Sequence, residues 1–146
     1  MEEKINNEMQ VIFKSKSVNE SFARVVVASF VSQLDPTIEE IADIKTAVSE
    51  AVTNSIVHGY KNLEGDIKIK ARLLEEKIVI EIIDNGEGIE NVEEARKPLF
   101  TSMSGKERSG MGFTIMESFM DEVKVESILG MGTKILMSKK LKKSNT

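Results

Sequence analysis

Hydrophobic residues recur every three or four positions in two N-terminal segments, which predicts two amphipathic helices. In the first, Ser17 and Glu20 form a capping-box pattern, and the apolar stripe continues to about residue 34. In the second, Asp35 is suited to cap the helix, Pro36 to occupy its first position, and Gly59 to end it. The apolar stripe of this second helix consists of Ile38, Ile41, Ile44, Val48, Val52 and Ile56.

Strict alternation of apolar and charged residues predicts the central strands. It runs over residues 67–73, and in the second run, 78–83, Ile78, Ile80 and Ile82 alternate with Val79 and Glu81. Glu75 and Glu76 lie between the two runs. This pattern is typical of a β-hairpin that buries one face. The other predicted elements are a short helix over 91–96, a long helix that opens after Gly112, and strands over 9–13, 123–127 and 133–138.

The order of these elements, β-α-α-β-β-loop-α-β-β, predicts an α+β fold. We expect a two-layer α/β sandwich, with helices on one face of a mixed, mostly antiparallel sheet. A length of 146 residues suits a single domain, which we place at 1–146. The last eight residues, 139–146, read KKLKKSNT and are expected to form a frayed basic tail.

Composition narrows the classes of function. A net charge of −4 argues against a nucleic-acid surface, because phosphate binding normally uses clustered lysine and arginine. The chain has no cysteine, which excludes disulfides and thiolate metal sites. The longest apolar run, 25–31, is too short to span a bilayer, and the polar N-terminus does not resemble a signal peptide. We therefore expect a cytoplasmic protein without direct nucleic-acid or membrane partners.

The first residues that could take part in catalysis or binding lie on the second predicted helix. Glu50, Asn54 and His58 follow one another at four-residue spacing, so they share a helix face opposite the apolar stripe. A polar face of this kind is most often a solvated surface, and by itself it specifies no activity.

Two glycine pairs add to this picture. Asp84, Gly86 and Gly88 follow a strand, where glycines permit a sharp turn and close approach of a ligand. The absence of a third glycine at Asn91 argues against a Rossmann motif. Each pair alone is also compatible with a simple turn or connector.

The second pair, Gly110 and Gly112, is predicted to precede a helix directly. Free backbone N–H groups would then point at one spot, an arrangement that binds phosphate. It is not a Walker A loop, since Glu107 follows Lys106.

The complete set and its order resemble the GHKL superfamily of histidine kinases, gyrase-type topoisomerases and mismatch-repair ATPases. The resemblance covers about residues 46–135. It identifies Glu50–Asn54 with the N box, Asp84–Gly88 with the first glycine box, Gly110–Gly112 with the second, and Gly132-Thr133 with the final motif. It implies the Bergerat type of ATP-binding sandwich.

The resemblance implies ATP/ADP and Mg²⁺ as cofactors. Asn54 would offer a neutral oxygen to Mg²⁺, and Asp84 would accept a hydrogen bond from the adenine amino group. Thr133 would support Asp84 or a water beside it. Glu50 would accept a proton from an attacking hydroxyl group.

The resemblance also implies a lid over residues 97–109, in which cationic side chains neutralise phosphate charge. The residues expected to bind nucleotide in or beside this lid are Thr101, Lys106, Arg108, Ser109, Gly110, Met111 and Gly112.

Among bare domains of this superfamily, the chain is most similar to the sporulation anti-sigma factors that are also serine kinases. The resemblance rests on the stretches NESFARV, QLDPT, SEAVTN, HGY, EEAR-PLFTS and ERSGMGFTIMESFMDEV. It implies a homodimer, with much of the interface formed by the first strand and first helix, that inhibits a sigma factor while ATP is bound. It also implies phosphorylation of a serine on an anti-anti-sigma protein, with Arg24 contacting both partners in turn.

Two alternatives remain open. One is a switch-protein kinase of a general stress-response circuit, which differs only in its partners. The other is a module that binds a partner under ATP control and transfers no phosphate. Glu50 favours a kinase, because nucleotide sensing needs no proton acceptor, although an ATPase would also use one. His58 is interpreted as a packing or capping residue at the helix end.

Overall fold

The computed structural model describes residues 4–97 and 107–142. In chain order its elements are β1 (Asn7–Lys14), α1 (Val18–Val31), α2 (Ile38–Asn54), β2 (Asp66–Leu73), β3 (Lys77–Asp84), α3 (Val92–Arg96), α4 (Glu107–Phe119), β4 (Glu122–Ile128) and β5 (Gly132–Lys140). A short 3₁₀ turn, Ser32–Leu34, follows α1, and a π-helical turn, Ser55–Gly59, continues α2.

The five strands form one sheet in the order β1-β2-β3-β5-β4, and all four neighbouring pairs are antiparallel. The predicted α+β sandwich is confirmed, and the sheet described is antiparallel throughout rather than mixed. The register places Asp84, the last residue of β3, directly opposite Thr133 on β5. Two predicted motif residues therefore meet at the same end of the sheet.

The hydrophobic core lies between the sheet and the helices. On β2, Ile67, Ile69, Ala71 and Leu73 are buried while the lysines and arginine between them are more exposed, as the alternation predicted. Helix α2 packs against α1 and α4 and sits centrally in the helical layer. The buried helix residues that cover the sheet are Ala23, Val27, Val31, Ile44, Ala47, Val48, Ala51, Val52, Phe113 and Met116.

The first helix starts after Ser17 as predicted, but the capping interactions of both helices differ from the predicted ones. The Ser17 side chain makes no capping hydrogen bond, and the Glu20 carboxylate instead accepts a hydrogen bond from the Ser49 hydroxyl on α2. Helix α2 is capped by Thr37 and not by Asp35. Asp35 cannot serve because its backbone is left-handed, with φ of 55°, where it ends the 3₁₀ turn.

Two further predictions about boundaries are wrong. Helix α4 begins at Glu107, so the second glycine pair lies within its first two turns and does not precede it. The expected frayed tail is ordered over its first half, because β5 runs to Lys140 and the Leu141 side chain is buried. The Lys139 ammonium donates to the Phe119 carbonyl at 2.7 Å, which anchors this segment to α4. Residues 143–146 lie outside the described part.

In the ranges described, no helix combines the length and the apolar character needed to cross a membrane.

Candidate nucleotide-binding site

The helix that carries the first candidate residues ends in a widened turn. Asn54 is the last residue of α2 and its side chain is only 8% exposed, while Glu50, one turn earlier, is half-buried. The N–H group of Tyr60 then donates to the Ser55 carbonyl at 2.8 Å, the five-residue spacing of a π-helix. Such turns often occur at functional sites. Here the turn directs Ser55 towards the end of β3, and half-buried His58 lies within it, at the predicted helix end.

Asp84 is the most buried acidic side chain of the site, with 3% exposure. The Ser55 hydroxyl donates to its Oδ2 atom at 2.7 Å, and the Gly86 N–H donates to Oδ1 at 2.9 Å. Burial raises the pKa of Asp84 above its ordinary value, against the lowering effect of hydrogen bonds from Ser55 and from the Gly86 and Thr133 backbones. The result is a fixed acceptor in a poorly hydrated position.

The two glycines after Asp84 are required by close backbone contacts. A Cβ atom on Gly86 would lie 2.2 Å from the carbonyl oxygen of Gly59, at the end of the π turn. Gly88 has φ of +82°, and a Cβ atom there would lie 2.3 Å from the carbonyl oxygen of Ile128. The turn from Asp84 to Gly88 is therefore held between the end of α2 and the β4–β5 hairpin.

Thr133 lies beside Asp84, but its hydroxyl is engaged elsewhere. Its Oγ1 atom is 2.9 Å from the Ser127 Oγ atom, while its backbone is the part that bonds to Asp84. Ser127 also accepts a hydrogen bond from the Ile89 N–H at 2.7 Å. Support from Thr133 to the Asp84 carboxyl thus comes from the main chain.

Helix α4 brings the second glycine pair to α2. A Cβ atom on Gly112 would lie 3.4 Å from Glu50 Oε1, so this glycine lies directly over the candidate base. Because α4 begins at Glu107, the N–H of Gly112 falls within the regular i to i−4 pattern of the helix. The expected set of free N–H groups at Gly110–Gly112 is therefore not present in this conformation.

Several predicted nucleotide-binding residues belong to the segment that is not described. Thr101 and Lys106 lie outside the described residues, as do the side chains of Arg108, Ser109 and Met111.

Arg24 and Glu50 line the same groove. This groove lies between α1 and α2, has a volume of about 370 Å³, and is also lined by Ala42, Lys45, Thr46 and Ser49. The Nε atom of Arg24 is buried and, within the described ranges, has no hydrogen-bond partner. Arg24, which is expected to contact partner proteins, therefore lies on the same surface as Glu50, the candidate base.

The side chains of the candidate site could hold a metal ion only together with phosphates and waters. Among the described residues, no group of three or more histidine, aspartate or glutamate side chains could hold a metal ion. Mg²⁺ is commonly held by one or two protein oxygens, with substrate phosphates and waters completing the octahedron. A single neutral oxygen such as that of Asn54 does not form a metal site made of protein ligands alone. It fits a site in which phosphates and waters supply most of the ligands.

Three hydroxyl residues at the site were missed by the sequence analysis: Ser55, Tyr60 and Ser127. Ser55 directly follows Asn54, and Tyr60 directly follows Gly59, so position next to a motif was an available signal. Ser127 had no such signal, because only the folding of β4 against the glycine turn brings it there.

Comparison with known families agrees with this geometry. Residues 13–139 match the family model described as the histidine kinase-like ATPase domain. The chain belongs to this family. Membership implies a nucleotide-binding domain, and the predicted superfamily is confirmed.

Curated relatives narrow the family further. The chain is 63% identical over 134 residues to the anti-sigma F factor of Caldanaerobacter subterraneus subsp. tengcongensis, covering 92% of this chain and 94% of the relative. It is 60% identical over 136 residues to the anti-sigma F factor of Clostridium acetobutylicum, covering 93% and 95%. The predicted resemblance to the sporulation anti-sigma factors is thereby confirmed.

Solved structures support the fold. The RsbU and RsbW domains of a Mycobacterium tuberculosis protein match with a TM-score of 0.68 at 19% identity, over 93% of this chain and 32% of that one. A blue-light activated histidine kinase of Erythrobacter litoralis matches with a TM-score of 0.58 at 18% identity, over 82% and 41%. The chain spans less than half of either protein, so these matches concern the domain fold alone.

Proposed function

We propose that this protein is a serine kinase that also acts as an anti-sigma factor, inhibiting a sporulation sigma factor in an ATP-dependent way. Its substrate is a serine of an anti-anti-sigma protein. The names of the curated relatives supply the anti-sigma role, since they align with this chain over nearly its whole length. The kinase activity is argued from the site.

The observation that carries the kinase proposal is the position of Glu50. Its carboxylate lies against Gly112 of the second glycine motif, and the same residue lines the groove that contains Arg24. In the proposed protein, this carboxylate would lie where the nucleotide site and the partner-binding groove meet. A module that only sensed nucleotide would need no proton acceptor at that junction.

In the proposed site, Asp84 accepts a hydrogen bond from the adenine amino group, and its turn supports the base. Its acceptor geometry is set by donors from Ser55 and the Gly86 backbone. Asn54 would hold Mg²⁺ through its side-chain oxygen, and the ion would neutralise and orient the phosphates. The residues at the start of α4, Arg108, Ser109, Gly110 and Met111, would bind the phosphates in this proposal. Thr101 and Lys106 are proposed to do the same, although they lie outside the described residues.

The transfer step uses Glu50 as the base. The partner's serine oxygen forms a bond to the γ-phosphorus as the bond between that phosphorus and the bridging oxygen breaks, and ADP leaves. Glu50 accepts the hydroxyl proton. Arg24 is half-buried and lines the same groove, so the exposed part of its guanidinium group is the proposed donor to an acceptor group of a partner.

The experiment is phosphotransfer from γ-labelled Mg·ATP to the organism's anti-anti-sigma protein, with Glu50→Gln compared with wild type. We expect Glu50→Gln to bind ATP but to lower the transfer rate by 10²-fold or more, on the order of a lost general base. Glu39→Gln is the matched control, because Glu39 lies on the same helix but is exposed and outside the groove.

The outcomes separate the alternatives. ATP binding without transfer to any serine would contradict the kinase and leave an ATP-gated binding module. Transfer only to a stress-response partner would assign the chain to the other circuit. Equal loss in Glu50→Gln and Glu39→Gln would contradict the role of Glu50 as base.

A further inference from the structure

We infer that Tyr60 is a positioning residue for the nucleotide site, because its phenol hydroxyl ties the Asp84–Gly88 turn to the end of the Asn54 helix. The inference rests on the proposed function, in which that turn supports the adenine base.

The hydroxyl makes two backbone contacts on opposite sides. It accepts a hydrogen bond from the Asn85 N–H at 2.8 Å, and it donates to the Asp66 carbonyl at 2.6 Å. Asn85 is the residue directly after Asp84, and Asp66 begins β2. One oxygen atom therefore links the candidate adenine-binding turn to the first residue of the neighbouring strand.

The ring is itself held in place. A Cβ atom on Gly65 would lie 2.3 Å from Tyr60 Cε1, so the ring lies in close contact with the backbone at that glycine. Tyr60 also packs on the edge of the hydrophobic core. With the ring confined between core and backbone, the hydroxyl has little freedom to leave its two partners.

Neighbours of Tyr60 reinforce the same connection. The Gly59 carbonyl accepts a hydrogen bond from the Glu87 N–H at 2.7 Å, and Lys61 forms an ion pair with Glu87 at 2.9 Å. The ion pair is largely exposed, so it contributes little. The backbone contact at Gly59 survives any side-chain substitution, whereas the contact from Tyr60 depends on one hydroxyl.

Loss of this hydroxyl should affect binding more than folding. The Asn85 and Asp66 residues are exposed, so water can hydrogen-bond to their backbone groups after the change. The turn would then sample other positions, and a ligand would have to order it on binding. A looser turn lowers affinity for any nucleotide with an adenine base, whether or not it carries a γ-phosphate.

The test is Tyr60→Phe, which retains the ring and removes the hydroxyl. By calorimetric titration we expect about a fivefold loss of affinity, by the same factor for ATP and ADP, as for one lost hydrogen bond. In phosphotransfer, KM for ATP should rise by that factor while kcat stays constant. The Asn85 amide should exchange with solvent faster in the variant without nucleotide.

Ser15→Ala is the matched control. The Ser15 hydroxyl also joins two backbone groups of the same loop, donating to the Leu63 carbonyl at 2.8 Å and accepting from the Gly65 N–H at 2.9 Å. It does not contact the Asp84–Gly88 turn. We expect this variant to lower the melting temperature and to keep wild-type nucleotide affinity.

Equal affinity of Tyr60→Phe and wild type, or unchanged exchange at Asn85, would overturn the inference and leave the proposed function intact. A loss confined to ATP would also overturn it, because it would place the effect at the γ-phosphate. Wild-type protein that binds no nucleotide would overturn the proposed function, and the inference with it.

Discussion

At the scale of single residues, the buried carboxylate of Asp84 lowers the stability of the fold at neutral pH. A carboxyl buried to this extent is disfavoured in its charged form, and its pKa is accordingly raised despite three hydrogen bonds. In the folded state it binds protons more readily than in the unfolded chain. The ordinary pKa of an aspartate is 3.8. The free energy of unfolding therefore falls as the pH rises from that value through the raised pKa of Asp84 in the folded protein.

Replacing Asp84 by Asn should separate stability from function. The amide carries no charge, so at pH 7 we expect the nucleotide-free variant to melt a few degrees above wild type, with the difference shrinking below pH 4. Binding of ATP should be lost, because an amide cannot offer the same acceptor to the adenine amino group. Melting curves across pH and calorimetric titration measure the two effects.

The control for this change is Asp66→Asn, on an exposed carboxylate paired with Lys14. It should alter neither nucleotide binding nor the pH dependence described for Asp84. An Asp84→Asn variant that melts lower than wild type at every pH would show that burial of the charge is not a cost to this fold.

At the scale of elements, the start of α2 is joined to the segment that follows β5. Glu40 accepts hydrogen bonds from the Thr37 N–H at 2.9 Å and from the Lys142 N–H at 2.8 Å. The first completes the capping box, and the second fastens the segment after β5 to the helix that carries Glu50 and Asn54. Burial alone would raise the pKa of Glu40, but these hydrogen bonds outweigh it and lower the pKa below 4.5.

Glu40→Gln should therefore destabilise the fold in a pH-dependent manner. The unfolded chain binds more protons than the folded one in the window below pH 4.5, so the stabilisation is present above that window and is lost as pH falls through the lowered pKa. We expect a loss of about 1–2 kcal/mol at pH 7, as for a lost cap, in urea titrations.

At acidic pH the difference from wild type should become smaller. Glu39→Gln, the same change one position earlier on an exposed side chain, is expected to have little effect. If both variants lost equal stability, the bonds from Glu40 to Thr37 and Lys142 would not be the cause.

At the scale of the whole molecule, α1 exposes an apolar stripe on the side away from the core. Val18, Phe22 and Val25 follow one another at spacings of four and three, and Val25 is 60% exposed. Exposed apolar surface on a regular element is typical of an interface. This stripe supports the proposed homodimer through β1 and α1.

Val25→Asp should convert such a dimer to a folded monomer, because a buried unpaired charge in the interface is strongly unfavourable. Sedimentation velocity at micromolar concentration measures the change. Ile38→Asp is the control, since Ile38 is 88% exposed but lies at the start of α2. A wild-type protein that sediments as a monomer would contradict the homodimer proposal.

The sequence by itself determined the order of elements, the buried face of the central hairpin and the identity of the family. These depend on local periodicity and on short motifs, which are properties of neighbouring residues. It also predicted the turn after β3 at Asp84, Gly86 and Gly88, because a strand that ends in this pattern turns in few ways. The ends of the helices were less predictable. Asp35 was predicted to cap α2, but it ends the 3₁₀ turn in a left-handed conformation and cannot do so.

Only the tertiary structure decided which residues from distant parts of the chain meet. Asp84 pairs with Thr133 because β3 and β5 are neighbours in the sheet, and the Ser55 hydroxyl reaches Asp84 because the end of α2 widens into a π turn. Such contacts depend on which strands become neighbours and on how the helices pack against them, and the periodicity of a single segment does not encode either. The same reason hid Tyr60, whose hydroxyl acquires its partners when the helix end, β2 and the glycine turn come together.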